Sequence, residues 1–544
     1  MVKLNKENYT LEVILQEQAL KRFNTFFAKY RYSILIVFLS FISITFFTVF
    51  YKNGLGLAYN DARSHLDIAR RVVEGLKPGL AQLGSVWLPL THVLMIPTIW
   101  NDFMWHSGLS GALPSMISFV GIGLLIYQYL KKMRVGILAR LVGVSVFVVN
   151  LNILYLQSTA MTELVLIATM TAGVYYLLNW AVDKKVTSLI TSGFFIFLST
   201  LVRYDGWFLL AVATIIVGIL SWQNFGKKST EGLIIFFLTL SAFGVVLWFL
   251  WNALIFRDPL YFAFGPYSAR VQQQQLEQAG VLATKGNLLL STKVYLYAAI
   301  YNSGAFTLML GVLGMIVFWL DDKVEENVRI ASTALLAPFI FNVLALYLGH
   351  SVLFIQDISG NTWFNVRYGI MMLPSFAIFI GYLIHRAKDF RPLIIGLLIF
   401  VNFFAIANVD AVTIDDARVG SSQKNVSQVA GWLSSHAKDN NDYVLISVAS
   451  HDAIIFSSGL PMKQFIHEGT GEYWDNATRY PDRFARYIIM RTNDVNDSTF
   501  RLLKGNEALT KYDLVVKGDF ADIYEIKAEE AGNLPKEPLK PLRK

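Results

Sequence analysis

Residues 32–51 read YSILIVFLSFISITFFTVFY, a stretch that contains no charged side chain. An α-helix of about 20 residues rises roughly 30 Å, which is the thickness of the hydrocarbon core of a bilayer. The stretch therefore predicts a membrane-spanning helix. The whole chain has the same character, because 54% of its 544 residues are hydrophobic and only 16% are charged. This composition excludes a disordered chain and disfavours an ordinary soluble enzyme.

Further uncharged stretches of similar length predict a polytopic α-helical membrane protein with about 11 transmembrane helices. The predicted spans are 32–51, 107–130, 141–162, 164–182, 186–202, 206–226, 232–256, 294–320, 330–349, 368–384 and 392–409. The apolar segment 86–100 is shorter and contains Pro89 and Pro97. We expect it to be interfacial or re-entrant, because it is too short to cross the hydrocarbon core.

The distribution of Lys and Arg predicts the orientation. If the N-terminus is cytoplasmic, the inner segments carry 19 basic residues and the outer segments before residue 410 carry 11. Positive residues favour the cytoplasmic side. We therefore expect a multi-pass plasma-membrane protein with a cytoplasmic segment 1–31. The net charge of +8 follows from these loops and requires no nucleic-acid partner. The absence of cysteine excludes disulfides and thiolate metal sites.

The composition changes after residue 409. Residues 410–544 hold 37 charged residues in 135, whereas the preceding 409 residues hold 49. We expect a transmembrane domain over 32–409 and a C-terminal extracytoplasmic α/β domain over 410–544. Helices are predicted near 425–437 and 498–509, and strands are predicted over 443–448, 485–490, 512–516 and 522–526.

The first external loop, 52–106, contains the first candidate for chemistry. It opens with Tyr59-Asn60-Asp61, and apolar residues over 62–76 recur at helical spacing. This pattern predicts an amphipathic helix in the headgroup plane, with Asp61 near the membrane surface. A carboxylate held there is a candidate general base for an acceptor hydroxyl. The alternative is that Asp61 only caps the helix that follows.

Two short turns between spans carry further candidates. Glu163 ends the turn 159–163, and a buried carboxylate there needs a partner, such as a metal ion, a base or a substrate hydroxyl. It also fits the first turn of the next helix. In the turn Arg203-Tyr204-Asp205-Gly206, Arg203 is suited to hold a phosphate or to pair with Asp205.

The remaining candidates lie in the later external loops. Arg270 and His350 lie in loops, and Arg367 belongs to the segment Asn365-Val366-Arg367-Tyr368-Gly369 at the outer end of a span. Arg367 is a candidate phosphate ligand or a snorkelling arginine. Acids, arginines and tyrosines on one membrane face fit a reaction on an anionic lipid-borne group. The spans lack the charged residues that an ion-coupled transporter places at the midplane.

Four of these motifs, in this order, carry a resemblance to a known family. They are Asp61 in YNDARSH, the Met161-Thr162-Glu163 turn, the Arg203–Gly206 turn and the segment 365–369. On them the chain resembles the C-type (GT-C) integral-membrane glycosyltransferases. It looks most similar to the branch of protein O-mannosyltransferases and aminoarabinose transferases. The segment Trp87-Leu88-Pro89-Leu90 stands where related enzymes carry a Pro-containing loop motif.

The resemblance implies a glycosyltransferase that moves a sugar from a polyprenyl-phosphate-linked donor to an extracytoplasmic acceptor, with inversion at the anomeric carbon. The acceptor would be a protein, a lipid or a cell-surface glycan, and a membrane lipid would be a partner. Asp61 would be the catalytic base. The resemblance implies that Glu163 binds a sugar or a divalent metal, and that Arg203 or Arg367, with Arg270, stabilises the leaving phosphate. Tyr204, His350 and Tyr368 are further substrate-binding candidates.

Two alternatives remain at this stage. One is a lipid or glycolipid transporter, in which Asp61 would matter less than the lining of a cavity. The other is a non-catalytic membrane scaffold that presents the outer domain. Loss of activity in an Asp61→Asn variant would separate an enzyme from a scaffold.

Overall fold

A computed structural model of the chain describes residues 6–265, 268–278, 280–419, 426–437, 439 and 441–542. The side chains are described from residue 29 onward, apart from a few positions between 269 and 275.

The helices of the membrane part are α1 (Lys6–Lys52), α2 (Asn60–Val73), α3 (Leu90–Ile99), α4 (Asp102–His106), α5 (Leu109–Lys132), α6 (Ile137–Val148), α7 (Leu151–Leu156), α8 (Glu163–Asp183), α9 (Val186–Thr200), α10 (Asp205–Phe225), α11 (Lys227–Ser241), α12 (Phe243–Phe256), α13 (Tyr261–Phe264), α14 (Ala269–Gln278), α15 (Leu288–Ser303), α16 (Ala305–Leu320), α17 (Glu326–Ser332), α18 (Ala337–Tyr347), α19 (Leu373–Arg386) and α20 (Arg391–Ala407).

The predicted fold class is confirmed, because the chain is a bundle of apolar helices followed by a small sheet domain. Within the described residues, seven helical segments are long and apolar enough to cross a membrane. Two helix pairs pass the same test together but are bent, α11–α12 by 45° and α15–α16 by 110°. The seven segments are Lys29–Lys52, Leu109–Lys132, Glu163–Asp183, Asp205–Phe225, Glu326–Tyr347, Val366–Arg386 and Lys388–Val419.

The predicted count of about 11 spans is not confirmed. The stretch 141–162 is divided between α6 and α7, and 186–202 forms α9, which has 15 residues. A helix of 15 residues rises about 22 Å, which is less than the hydrocarbon thickness. The stretch 294–320 breaks at Gly304 into two helices at 110°. Segment 86–100 contains the ten-residue helix α3, which is likewise too short to cross a membrane.

The helix that follows Asp61 is present, but it does not lie on the surface. Helix α2 buries Leu66 and Ala69, as an amphipathic helix would, but it also buries Arg70 and Arg71. One side of α2 packs against α3, and the other packs against α24 (Ala453–Ser458) of the sheet domain. Protein therefore covers α2 on both of these sides, and its expected position in the headgroup plane stays a prediction. Arg70 and Arg71 are buried because protein covers the face that was expected to meet water.

The strands of the C-terminal domain are β1 (Val444–Leu445), β2 (Phe465–Ile466), β3 (Tyr487–Met490), β4 (Tyr512–Val516) and β5 (Asp522–Ile526). They form a mixed sheet in the order β2-β1-β3-β5-β4. Strand β1 pairs in parallel with β2 and β3, while β5 pairs antiparallel with β3 and β4. Four strands lie where the sequence predicted them, and β2 was not predicted. The helices after residue 410 are α21 (Val412–Val419), α22 (Ser427–His436), α23 (Val448–His451), α24, α25 (Glu472–Arg479) and α26 (Ser498–Leu503).

Two of the spans form the centre of the bundle. In Val366–Arg386, 89% of the most apolar 18-residue window is buried, and in Glu163–Asp183 the share is 78%. The corresponding shares are 17% for Lys29–Lys52 and 6% for Lys388–Val419. The last two spans therefore lie at the periphery, where a membrane lipid can reach them. The two central spans carry Arg367 and Glu163.

Gly369 lies at a close contact in the 3-10 segment Val366–Met372 (η1), which precedes α19. A Cβ added to Gly369 would lie 2.2 Å from the carbonyl oxygen of Ala298 in α15. Real Cβ atoms do not approach a backbone atom so closely, so Gly369→Ala must push η1 away from α15. We expect a loss of roughly 1–3 kcal/mol of stability, measured as a lower Tm in detergent.

The matched control for this prediction is Gly396→Ala in α20. A Cβ at Gly396 would have no heavy atom within 4 Å, because this helix lies at the periphery. Alanine also favours the helix over glycine there. We expect this control to keep or slightly raise the Tm. Equal Tm values for the two alanine variants would contradict the close packing of η1.

Candidate active site

Three of the site carboxylates stand in the first turn of a helix. Asp61 lies at the start of α2, Glu163 begins α8 and Asp205 begins α10. The unpaired N–H groups at a helix N-terminus stabilise negative charge there. The turn before α10 also needs Gly206, because a Cβ would lie 2.4 Å from the backbone of Ser199. These local features bring the three acids to the same end of the bundle.

Arg367 of η1 joins these acids. Its Nη2 donates to Asp61 Oδ2 at 2.7 Å, and its Nε donates to Glu163 Oε1 at 3.0 Å. Its Nη1 also lies 3.6 Å from Asp416 Oδ2. The guanidinium is flanked by the rings of Tyr59 and Tyr368, with centroids at 4.9 and 5.4 Å. One arginine therefore links α2, α8 and α21.

Arg203 forms the second half of the cluster. Its Nη1 donates to Glu163 Oε1 at 3.3 Å, and its Nε donates to Asp205 Oδ2 at 3.3 Å. The ring of Tyr368 lies 4.4 Å from its guanidinium. Four carboxylates and two guanidinium groups thus meet, and in their ionised forms their net charge is −2. Both arginines already have carboxylate partners.

Burial falls from the inside of the cluster outward. The side chain of Glu163 is fully buried and that of Arg367 is 5% exposed, whereas Arg203 is 20% and Asp61 35% exposed. Asp61 is thus the acid that a substrate can reach. Glu163 and Arg367 lie behind it and hold it in place, because a buried ion pair with several hydrogen bonds keeps its geometry.

Asp416 and Tyr59 extend the cluster to α21. The Tyr59 hydroxyl donates to the Thr413 carbonyl at 2.9 Å and to Asp416 Oδ2 at 3.1 Å. Burial raises the pKa of Tyr59, and the nearby Asp416 carboxylate raises it further, so Tyr59 stays protonated. Asn152 accepts from the Thr413 backbone N–H and hydroxyl, at 3.0 and 2.8 Å. These bonds fix the position of α21 beside Arg367.

A pair of histidines lies next to the cluster. His65 is one helical turn after Asp61 on α2, and its Nδ1 lies 2.8 Å from His92 Nε2. The ring of Trp87 is 4.3 Å from that of His65. Burial lowers the pKa of His65 to about 3, and the charges of Arg367 and Arg203 act in the same direction. His65 is therefore neutral at physiological pH.

The structure brings together most of the residues that the sequence predicted. Asp61, Glu163, Arg203, Arg367 and Tyr368 form one cluster, connected through the two arginines. Tyr204 is beside them in sequence, but its hydroxyl donates to the Val86 carbonyl at 3.3 Å and its ring packs on Phe262. Its contacts thus join the α9–α10 turn to the loop before α3.

Arg270 and His350 do not join the cluster. Both side chains are exposed. The Arg270 guanidinium lies 5.0 Å from the ring of Phe264, and the His350 carbonyl accepts a hydrogen bond from Gln273. Arg270 is on α14 and His350 follows α18, and no contact of either with the acids is present in the described part of the chain. Their predicted roles at the substrate are not supported by this geometry.

Glu163 was also a candidate metal ligand. Its Oε2 is buried and lacks a hydrogen-bond partner among the described residues, which is the one feature that favours a cation there. Against this, Arg367 lies between Glu163 and Asp61, so a cation shared by both acids would meet its positive charge. The described residues also contain no group of three His, Cys, Asp or Glu side chains placed to bind one metal ion. The donor set does not fit a divalent cation.

Three residues in or next to the site were not predicted from the sequence. Asp416 lies beyond residue 409, in the region that the change of composition assigned to the soluble domain. Its signal was the apolar context of AVTIDDARV (411–419), in which Asp416 follows Asp415 directly after an apolar run. His65 and His92 had a weaker signal, because a histidine in an apolar segment is most often a satisfied core residue.

No family model matches the chain, and no curated protein matches it. Among solved structures, it is similar to ArnT from Cupriavidus metallidurans bound to undecaprenyl phosphate, with a TM-score of 0.52 and 10% identity. The match covers 90% of this chain and 99% of ArnT. ArnT in the apo state gives a TM-score of 0.53 at 12% identity, over 90% of this chain and 98% of ArnT.

A weaker similarity is to the oligosaccharyltransferase of Archaeoglobus fulgidus in its apo form. Its TM-score is 0.46 at 13% identity, over 85% of this chain and 70% of that protein. The match to ArnT is what establishes the fold, because it extends over nearly the whole of both chains. The resemblance to the GT-C glycosyltransferases is thus confirmed at the level of the fold.

Proposed function

We propose that the chain is a membrane glycosyltransferase that moves one sugar from a polyprenyl-phosphate-linked donor to an acceptor hydroxyl. The shared fold with ArnT supports this, since one ArnT structure is bound to undecaprenyl phosphate. The observation that carries the proposal is Asp61. It is a partly exposed carboxylate held by the buried Arg367 at one end of a membrane bundle. A transporter or a scaffold has no need of an acid positioned in this way.

The proposed reaction is a single inverting displacement. The acceptor O–H gives its proton to the Asp61 carboxylate while its oxygen bonds to the anomeric carbon. The bond from that carbon to the phosphate oxygen breaks, and its electron pair leaves with polyprenyl phosphate. The carboxylate accepts the proton while its Oδ2 accepts a hydrogen bond from Arg367, which holds it in position.

The roles of the other residues follow from their burial. Glu163 has no exposed surface, so we assign it to positioning Arg367 and Arg203 rather than to contacting a sugar. Arg203 is more exposed and is the better placed of the two arginines to approach the charge that grows on the leaving phosphate. Tyr368 fixes its guanidinium from one side.

The proposed orientation places the active site outside the cytoplasm. The opposite end of the bundle carries Arg386, which pairs with Asp321, and Arg134, which pairs with Glu325. It also includes the basic loops at 131–134 and 184–185. Positive residues favour the cytoplasmic side, so this end faces inward and the sheet domain faces outward.

The proposal is tested with a panel of polyprenyl-phosphate sugars. Purified protein in lipid vesicles would be incubated with each donor, with and without a membrane extract that supplies acceptors. We expect release of polyprenyl phosphate from one donor, accelerated by the extract. Intact donor that crosses the bilayer without cleavage, for every sugar tested, would contradict the enzyme and favour a transporter.

Chelation of metal ions gives a further test of the site. We expect EDTA to leave the transfer rate within about twofold of its starting value, because Arg367 takes the position that a shared cation would need. Added Mg²⁺ or Mn²⁺ should then bring no gain. A loss in EDTA that Mn²⁺ restores would contradict this and would make Glu163 Oε2 a metal ligand.

A further inference from the structure

None of the side chains assigned above contacts the sugar itself. Asp61 takes the acceptor proton, Arg203 approaches the leaving phosphate, and Glu163 is fully buried. The histidine pair next to the cluster has no part in that reaction. It joins His65 of α2 to His92 of α3, and the two residues are only 4% and 0% exposed. Buried polar side chains are normally fully hydrogen-bonded, so the bonds that this pair leaves unmade are informative.

The hydrogen bond between the two rings fixes where their protons lie. Burial lowers the pKa of both imidazoles, so both are neutral, and one proton lies between His65 Nδ1 and His92 Nε2. His92 Nδ1 is enclosed by protein and has no partner among the described residues. A buried N–H without an acceptor is rarer than a buried acceptor without a donor. His92 therefore carries its proton on Nε2 and donates it to His65.

His65 consequently carries its own proton on Nε2, at the other side of the ring. A neutral imidazole has one N–H group, and His65 Nδ1 is the acceptor of the bond from His92. His65 Nε2 has no hydrogen-bond partner in the part of the chain that the structure describes, yet it is not enclosed by protein as His92 Nδ1 is. It is a hydrogen-bond donor with a fixed direction that a ligand can reach.

The position of His65 on α2 places this donor close to the proposed base. His65 follows Asp61 by four residues, so the two side chains lie on one face of the helix, about one turn apart. The charges of Arg367 and Arg203 both act on the His65 ring. The donor thus belongs to the same end of the bundle as the acids and arginines of the active site.

Trp87 links His65 to the turn that carries Arg203. The ring of Trp87 lies 4.3 Å from that of His65. The preceding residue, Val86, accepts a hydrogen bond at its carbonyl from the hydroxyl of Tyr204, which directly follows Arg203. The pair of His65 and Trp87 is therefore placed between the proposed base and the arginine that faces the phosphate.

A sugar is the ligand that this pair fits. In the proposed displacement, the transferred sugar lies between the acceptor oxygen at Asp61 and the leaving phosphate at Arg203. Trp87 is 37% exposed, and its flat ring offers an apolar surface beside a single N–H donor. Sites for small ligands combine aromatic surface with a few fixed polar groups in this way. A neutral donor suits a sugar oxygen, whereas an anion is bound more strongly by a charged group.

We propose that His65 donates a hydrogen bond from Nε2 to an oxygen of the transferred sugar, with the ring of Trp87 beside it and with His92 fixing the tautomer. This inference rests on the proposed function, because it takes the sugar to be held between Asp61 and Arg203. It gives His65 a part in the choice of sugar. A site built around a fixed donor disfavours an analogue that lacks the matching oxygen.

Binding to purified full-length protein in detergent tests this assignment without turnover. The probes are undecaprenyl phosphate that carries mannose, glucose or aminoarabinose, and bare undecaprenyl phosphate. His65→Asn places an amide near Nδ1 and supplies nothing at Nε2, whereas His65→Gln supplies an N–H close to Nε2. We expect His65→Asn to weaken binding of at least one sugar-bearing probe about threefold to tenfold, as the loss of one neutral hydrogen bond does, and to leave the bare lipid unchanged. His65→Gln should keep most of the affinity.

The matched control is His436→Asn. His436 also lies beside a tryptophan, with its ring 4.0 Å from that of Trp432, but it is exposed on α22 of the sheet domain. This variant should bind every probe as the wild type does.

The positioning role of His92 is tested in the same assay. His92→Leu removes the bond that fixes the tautomer of His65, and we expect it to weaken the same sugar-bearing probe. His92→Gln can still donate a hydrogen bond to His65 and should restore the affinity. Neither variant should affect the bare lipid. Equal losses for the bare lipid and the sugar-bearing probes in His92→Leu would mean that His92 only supports the fold.

Three outcomes would overturn the assignment of His65. One is wild-type affinity of His65→Asn for every sugar-bearing probe. Another is an equal loss for the bare lipid, which would place the effect on the fold or on the phosphate. The third is the absence of binding of any sugar-bearing probe to the wild type.

Failure of this inference can be told apart from failure of the proposed function. Binding of a sugar-bearing probe that needs His65, without cleavage of any donor, would keep the sugar contact and remove the enzyme. Donor cleavage that depends on Asp61, with an unchanged kcat/KM in His65→Asn, would keep the enzyme and remove the sugar contact.

Discussion

The substitution Asp61→Asn is expected to lower the rate of sugar transfer by roughly 10²–10⁴-fold, which is the usual contribution of a positioned general base. The amide of the variant would keep an oxygen for the bond that Arg367 Nη2 now makes to Asp61 at 2.7 Å. The network should therefore remain intact, and the loss should come from the missing proton acceptor. The measurement is release of polyprenyl phosphate under saturating donor.

The control for this variant is Asp475→Asn. Asp475 also stands in the first turn of a helix, α25, but it is exposed in the sheet domain and far from Arg367 in the chain. We expect wild-type rates from it and a wild-type Tm from both variants. If Asp61→Asn retained more than a tenth of the rate, Asp61 would be a helix cap and not the base.

Glutamine in place of Arg367 is expected to cost roughly 3–5 kcal/mol of stability, because it leaves buried acids without their main cation. Glu163 and Asp416 have 0% and 1% of their side chains exposed, so water cannot replace the lost partner. The change should be seen as a marked fall of the Tm in detergent. Activity should fall with it, because Asp61 loses the group that holds it.

A second substitution distinguishes a charge effect from a general loss of packing. Adding Glu163→Gln to Arg367→Gln removes one of the two buried acids that the first change leaves behind. The double variant should therefore be more stable than the sum of the single effects, by about 1 kcal/mol or more. Strictly additive Tm changes would show that the two side chains do not act as a pair.

The membrane character of the chain could be predicted because the length of each uncharged stretch can be compared with the thickness of a bilayer. The span predictions that were not confirmed are those in which a break between two helices interrupts an uncharged stretch. Gly304 in 294–320 and the non-helical turn at Asn150 in 141–162 divide stretches whose composition is uniform. Hydropathy records only the absence of charge, so it does not detect where the backbone turns.

The residues of the candidate site could be predicted from the sequence, but their arrangement in space could not. Asp61, Glu163, Arg203 and Arg367 stood out because charged groups at the ends of apolar helices need partners. Which acid faces the substrate depends on how far each carboxylate is buried. That burial depends on the packing of α2 against the sheet domain. Asp416 was not predicted because it lies after residue 409, where the change of composition placed the soluble domain, although its helix packs at the site.

The central claim is that the chain cleaves a lipid-linked sugar through Asp61. The most direct measurement uses a donor labelled separately in its sugar and in its polyprenyl phosphate, supplied with a membrane extract that provides the acceptor. The account predicts that the two labels separate at equal rates, with the sugar appearing on an acceptor in the opposite anomeric configuration. In Asp61→Asn the labels should stay together. Labels that remain joined in the wild type, or that separate equally well in Asp61→Asn, would contradict the account.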